Sequence, residues 1–224
     1  MSTDFNAIAD KCLKAAAEIA VERCWTEETM DKLKPQKRAL INGLPSAYKE
    51  CSFETYKGND KLIKDLSELI RKNEDSIVLR GNTGCGKTHL AIAIAKKIPT
   101  EDSKIRGSWE TIPGTIFTTA PELLLKIRSA FREGSEQSEE RLIDYYSGCE
   151  LLILDDLGSE KTSEFAVTTL YVIIDRRLRD CRKTIITTNM SQQEIEQTFG
   201  ARIASRLSGM ENIKINMPDH RKRR

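Results

Sequence analysis

The sequence predicts an α/β fold: a five-stranded parallel sheet with helices on both faces. Three observations predict it. Short apolar runs at 76–80, 115–119, 150–154, 184–188 and 212–216 alternate with segments of helical periodicity, the pattern of crossover units that build parallel sheets. The run Leu151-Leu152-Ile153-Leu154 shows no polar alternation, as expected of a strand buried on both faces. A glycine-rich segment joins the first of these strands to a helix-like run, the setting of a phosphate-binding loop.

From the N-terminus, Phe5, Ile8, Ala9, Cys12, Leu13, Ala16, Ile19 and Ala20 follow i, i+3, i+4, i+7 spacing, which predicts an amphipathic helix over 4–22. A second helical stretch, about 26–41, is bent or broken at Pro35 because proline supplies no N–H and clashes with the preceding turn. Gly43 and Pro45 punctuate the chain, so a boundary is expected within 43–52. The first fifty residues are too few for a large core of their own and are expected to dock on the main domain or on a partner. The expected organisation is a helical, partner-binding region over 1–48 and a main domain over 49–224.

Beyond the boundary, Leu62, Ile63, Leu66, Leu69 and Ile70 share one face of a helix over 59–72. Strand 76–80 leads through the glycine-rich loop into a helix from His89 to Lys97, ending near Pro99. Residues 100–114 read as polar and irregular. Strand 115–119 precedes helices at 121–132 and about 136–147, strand 150–154, helix 163–179, strand 184–188, helices at 191–198 and 200–208, and a last strand at 212–216.

Composition bounds the function. The 224 residues carry 36 Lys+Arg against 34 Asp+Glu, a formal net charge of +2, so any nucleic-acid surface must be local rather than global. No apolar run approaches the roughly 20 residues of a membrane span, and Met1 to Asp10 lack a basic region followed by an apolar one, so neither membrane nor secretion is expected. Six cysteines lie far apart, without a C-x-x-C pair and with only two histidines, which excludes zinc spacing. One cysteine sits inside the glycine-rich loop; a reducing, cytoplasmic setting is expected.

The chemistry begins at Gly81-Asn82-Thr83-Gly84-Cys85-Gly86-Lys87-Thr88, followed by His89. This is G-x-x-x-x-G-K-[ST]. Its glycines let successive N–H groups curl around phosphates, the next helix aims its positive end at them, Lys87 neutralises β/γ-phosphate charge and the Thr88 hydroxyl ligates Mg²⁺. ATP and Mg²⁺ are the expected cofactors. The strand 151–154 ends in Asp155-Asp156 at the edge where α/β sheets place ligands. Asp155 suits the Mg²⁺-directed carboxylate and Asp156 the group that orients the attacking water, although paired aspartates also cap helices. Ile185-Ile186-Thr187-Thr188-Asn189 repeats the design with a neutral amide, able to bond both water and γ-phosphate; asparagine is also a common turn residue. Arg202 and Arg206 lie i, i+4 on one helix, either as a solvated basic face or as an arginine finger for a neighbouring subunit.

Together the loop GNTGCGKTHLA, the strand LLILDDLG, the TTN strand end and the late SRL segment resemble the AAA+ ATPases of the DnaC/IstB group, which includes bacterial replicative helicase loaders and transposition helper ATPases. The resemblance covers about residues 50–221. It implies an AAA+ ATPase domain without a separate lid, with Asn189 as sensor 1, Arg206 as a finger acting in trans with Arg202 beside it, and Arg221 as sensor 2. It places Lys161, Ser163 and Phe165 at single-stranded-DNA-facing positions, and within 121–147 the extra helix of the initiator and loader clade. The residue after Asp155 is Asp156, where many AAA+ proteins carry glutamate; the shorter side chain retreats roughly 1.5 Å, which is expected to slow hydrolysis.

Four functional readings follow. The first is an ATP-dependent helicase loader that assembles head to tail, binds single-stranded DNA and delivers a replicative helicase during replication initiation; a finger in trans needs such a heterologous interface. The second is an IstB-like transposition helper engaging a transposase on duplex DNA. The third is a nucleotide-gated adapter with little hydrolysis. The fourth, a small-molecule kinase, finds no acceptor signature.

Overall fold

The computed structural model describes residues 44–71, 76–104, 111–130 and 138–219. The expected helices over 4–22 and 26–41, and Arg221, lie outside them. In chain order the elements are a 3₁₀ turn at Ser46–Tyr48, α1 (Asp60–Arg71), β1 (Ile77–Gly81), α2 (Lys87–Ala95), β2 (Ser103–Lys104), β3 (Thr111–Ile112), β4 (Thr115–Thr119), α3 (Ala120–Ser129), α4 (Glu139–Gly148), β5 (Leu151–Leu157), α5 (Glu164–Arg179), β6 (Lys183–Thr188), α6 (Gln192–Phe199), α7 (Ala201–Ser208) and β7 (Glu211–Ile215).

Five strands pair in the order β4-β5-β6-β1-β7, all parallel. The fold is the expected α/β sheet. Its two faces can be read residue by residue, because side chains alternate along a strand. On β5, Leu152 and Leu154 join the cluster built with α3 to α7, while Leu151 and Ile153 join the cluster built with α1 and α2. On β1, Val78 faces the first and Ile77 and Leu79 the second. Helix α2 is itself buried from Leu90 to Ala95, sandwiched in that second cluster with Leu66 of α1 and with Leu44, Phe53 and Tyr56. The domain's packing therefore includes Leu44, inside the expected boundary region.

Local chemistry sets the helix starts. Thr119 and Glu122 form a reciprocal capping box on α3, as Ser191 and Glu194 do on α6. Ser163 Oγ accepts the Ala166 N–H at the start of α5, 3.2 Å away. One expectation needs refinement: the stretch 100–114, read as irregular, contains a short antiparallel pairing of β2 with β3.

A fully buried arginine ties the lower edge of the sheet together. Arg177 is 0% exposed. Its guanidinium donates to the carbonyls of Tyr146, Ser147, Cys149, Glu150 and Lys183, and its Nε to Thr184 Oγ1 at 2.9 Å. A planar fork of five N–H donors is the side chain that can satisfy several carbonyls at once. They belong to the end of α4, the turn after it and the start of β6, so one residue fixes the spacing of three segments.

Candidate functional site

The site grows from the C-terminal ends of three adjacent strands. β6 lies between β5 and β1, so the loop after β1, the aspartates of β5 and the tip of β6 meet. Gly84 and Gly86 take positive φ, +76° and +92°, which glycine adopts without penalty. At Gly86 space also forbids a side chain: a Cβ would lie 2.6 Å from the Tyr56 ring. Tyr56 is buried, and its hydroxyl donates to the Cys85 carbonyl at 3.2 Å. The segment carrying it is tied to α2: Lys96 Nζ donates to the carbonyls of Lys49 and Cys51, 2.7 Å each, and His89 Nε2 lies 2.7 Å from Ser52 O. The His89 ring thus packs the loop wall, leaving its backbone N–H as the group it could offer a nucleotide.

Lys87 is 7% exposed. Its Nζ donates to the carbonyls of Gly81 and Asn82, 3.0 Å each, and to Asn189 Oδ1 at 2.6 Å. The structure therefore brings together the ammonium of the loop and the amide at the tip of β6. Thr88 Oγ1 lies 2.9 and 3.0 Å from the two oxygens of Asp155. Burial pushes the Asp155 carboxyl above the usual carboxylate range and the Asp156 charge adds to this, while hydroxyl hydrogen bonds from Thr187 and Thr88 and the charge of Lys87 work against it. A desolvated carboxylate beside a hydroxyl is a pair of hard oxygen donors, the set that suits Mg²⁺ completed by phosphate oxygens and water. These residues fit ATP and Mg²⁺.

The strand is irregular at Asp155 and Asp156. Leu154 pairs with Ile186 and Leu157 with Thr188, a register shift that inserts one extra residue on β5, a bulge that re-aims side chains. Asp156 takes φ +60°, a conformation that short polar residues tolerate better than longer ones. This gives a physical reason for aspartate at this position. The strand consequently runs on to Leu157, three residues past its expected end.

Sequence reasoning missed Thr187. Its hydroxyl donates to Asp155 Oδ1 at 2.6 Å and accepts the Asp156 N–H at 2.9 Å. The TTN strand end held the signal, a hydroxyl residue two positions before the amide, but the pairing of β5 with β6 was needed to use it. Glu160 was missed as well. Its Oε2 accepts the Gly158 N–H at 3.0 Å, and burial pushes its carboxyl upward.

The other expected site residues fall in two further places. Lys161, Ser163 and Phe165 line one groove of about 270 Å³ together with Leu125 and Arg128 of α3. Arg128 sits over the Phe165 ring at 5.1 Å, Leu125 is 66% exposed, and the Ser163 hydroxyl serves as the α5 cap. Arg202 is exposed on α7, whereas Arg206 is held against α5. Arg221 lies beyond the last described residue, Asp219. The Asp219 carboxylate packs on Gly84 of the phosphate loop, where a Cβ would meet it at 1.8 Å. Among the described residues, no helix is long and apolar enough to cross a membrane.

Comparison with known proteins agrees with this geometry. A family model described as "IstB-like ATP binding protein" matches residues 14–207, and the chain belongs to that family. The replicative helicase loader DnaC of Buchnera aphidicola subsp. Baizongia pistaciae is 27% identical over 195 residues, covering 83% of this chain and 75% of the relative. That of Escherichia coli strain K12 is 26% identical over 195 residues, covering 84% and 75%. The crystal structure of the DnaC helicase loader superposes with a TM-score of 0.63 at 23% identity, covering 77% of this chain and all of that one. The chain is thus a DnaC/IstB-type AAA+ protein with a P-loop NTPase fold.

Proposed function

We propose that this member of the IstB-like ATP-binding family is an ATP-hydrolysing loader of a replicative helicase, which assembles head to tail and grips single-stranded DNA. The observation that carries the hydrolytic part is the convergence of Lys87 with Asn189 and of Thr88 with Asp155 at three strand ends. The similarity to proteins named replicative helicase loader supports the choice of partner.

In this reading the loop N–H groups and Lys87 hold the phosphates. The carbonyls and amide that Lys87 now contacts give way to phosphate oxygens, which frees Asn189 to bond the γ-phosphate or the attacking water. Thr88 and Asp155 would hold Mg²⁺, which supplies charge neutralisation at the β/γ oxygens. Asp156 orients the water. Arg206 completes the site of the next subunit, and Arg221 acts as sensor 2. Lys161 and Phe165 face DNA, as a phosphate contact and a stacking surface. The segment 1–48 carries the helicase-binding surface.

The test is capture. Immobilised full chain is exposed to a purified replicative helicase or to a transposase, each with and without ATP. Retention of the helicase supports the loader. Retention of the transposase alone would replace it with a transposition helper.

A further inference from the structure

Arg206 is clasped from two sides. Its Nε donates to Asp175 Oδ1 at 2.6 Å, and Nη2 pairs with the same oxygen. Nη2 also donates to the Tyr171 hydroxyl at 3.1 Å, and the guanidinium lies 4.8 Å from the Tyr171 ring centroid. Asp175 is in turn fixed through Oδ2 by Arg179 Nε at 3.0 Å. The Arg206 side chain is 31% exposed and that of Asp175 only 16%, so the pair is shielded from solvent more than a surface ion pair. One edge and one face of the guanidinium are occupied. Nη1 is the remaining nitrogen; its contact with the Arg202 carbonyl is long, 3.4 Å.

The clasp also sets where the arginine stands. Helix α5 begins after the C-terminal end of β5, beside the aspartates, and runs back toward the start of β6. At 1.5 Å per residue, Asp175 lies about 16 Å down that helix from its start. A guanidinium anchored there is withdrawn from its own phosphate loop.

We propose that Asp175, with Tyr171 beneath, is the positioning residue of a finger acting in trans: it holds the Nε/Nη2 edge of Arg206 so that Nη1 points at the neighbouring subunit's γ-phosphate. The proposal rests on the reading of Arg206 as that finger. The physical advantage is pre-organisation. A long side chain loses rotamer freedom when it docks on a phosphate, and a carboxylate that already fixes the guanidinium plane removes part of that cost. The opposite use of the same contact, a latch withholding Arg206, predicts the opposite sign.

The experiment uses the full 224-residue chain and four variants: Asp175→Asn, Asp175→Glu, Arg206→Ala and Lys87→Ala. Binding of a fluorescent ATP analogue and hydrolysis at saturating ATP are measured for each alone and for mixtures with Lys87→Ala. Asp175→Asn should bind nucleotide within about twofold of wild type and lose roughly 100-fold in saturated rate, the size of effect that an ångström of misplacement produces. It should recover on mixing with Lys87→Ala, whose intact Asp175–Arg206 pair serves the sound pocket of the other subunit. Asp175→Glu keeps the charge but shifts the guanidinium by about one methylene; it should fold as wild type and still lose about tenfold or more. A wild-type rate in Asp175→Glu, or a rate at or above wild type in Asp175→Asn, overturns the proposal while Arg206→Ala remains inactive. If Arg206→Ala hydrolyses like wild type, it is the finger reading itself that fails.

Discussion

Thr187 Oγ1 lies 2.6 Å from Asp155 Oδ1 and donates to it, while the same oxygen accepts the N–H of Asp156 at 2.9 Å. One buried hydroxyl on β6 therefore fixes both acidic residues of β5, across a bulge that would otherwise leave them without a common reference. Thr187→Val keeps the shape and removes the hydroxyl. It should cost about 1–3 kcal/mol, because the buried carboxylate loses a donor and the Asp156 N–H loses its acceptor. It should also weaken Mg²⁺-dependent nucleotide binding. Thermal unfolding and titration with a fluorescent ATP analogue check both, and Thr187→Ser should restore most of each. An unchanged Thr187→Val protein would show that the hydroxyl does not organise the site.

Lys87 carries the charge facing the phosphates. Lys87→Ala should abolish measurable ATP-analogue binding while the fold persists, since the side chain bonds loop carbonyls and Asn189 rather than core groups. Wild-type affinity in this variant would refute the phosphate-loop assignment.

Asp156→Asn should leave nucleotide affinity within about twofold and slow single-turnover hydrolysis by about 10²-fold or more, the scale of a lost general base or water orienter. Asp155→Asn should instead weaken the dependence on Mg²⁺. If Asp156→Asn matches the wild-type rate, its carboxylate has no part in orienting water and its role is confined to the bulge.

Phe165 is half-buried, with Arg128 over its ring. Phe165→Ala should reduce affinity for a single-stranded oligonucleotide by about 1–3 kcal/mol, the range for one base on one aromatic ring. Lys161→Ala should lower the salt dependence of binding by about one counterion. Fluorescence anisotropy against salt reads both. Full affinity in a folded Phe165→Ala protein would assign the ring to helix packing alone.

Arg177→Met should be the most destabilising of these changes, about 3–5 kcal/mol, because it strands several buried carbonyls at once. Arg177→Lys should recover little, since an ammonium cannot reproduce the planar fork. Denaturant unfolding measures it; a loss below about 1 kcal/mol would mean that water takes over the carbonyls.

Sequence by itself determined the parts of this protein whose physics is local. The phosphate loop is legible because glycines, lysine and threonine must follow one another in that spacing to cradle phosphate. Strand β5 is legible because a strand buried on both faces has to be continuously apolar, and helices α3, α5 and α6 fall within or beside the stretches 121–132, 163–179 and 191–198 read as helical. Tertiary structure alone decided what depends on residues distant in the chain. The order β4-β5-β6-β1-β7 sets Asn189 against Lys87 and Thr187 against Asp155. The bulge that gives Asp156 its positive φ exists only as a mismatch between two strands. Tyr56 closes on Gly86, and Asp175 closes on Arg206, through contacts made by no periodicity or motif. Local spacing encodes which groups are present; the pairing of strands and the packing of helices fix which of them meet.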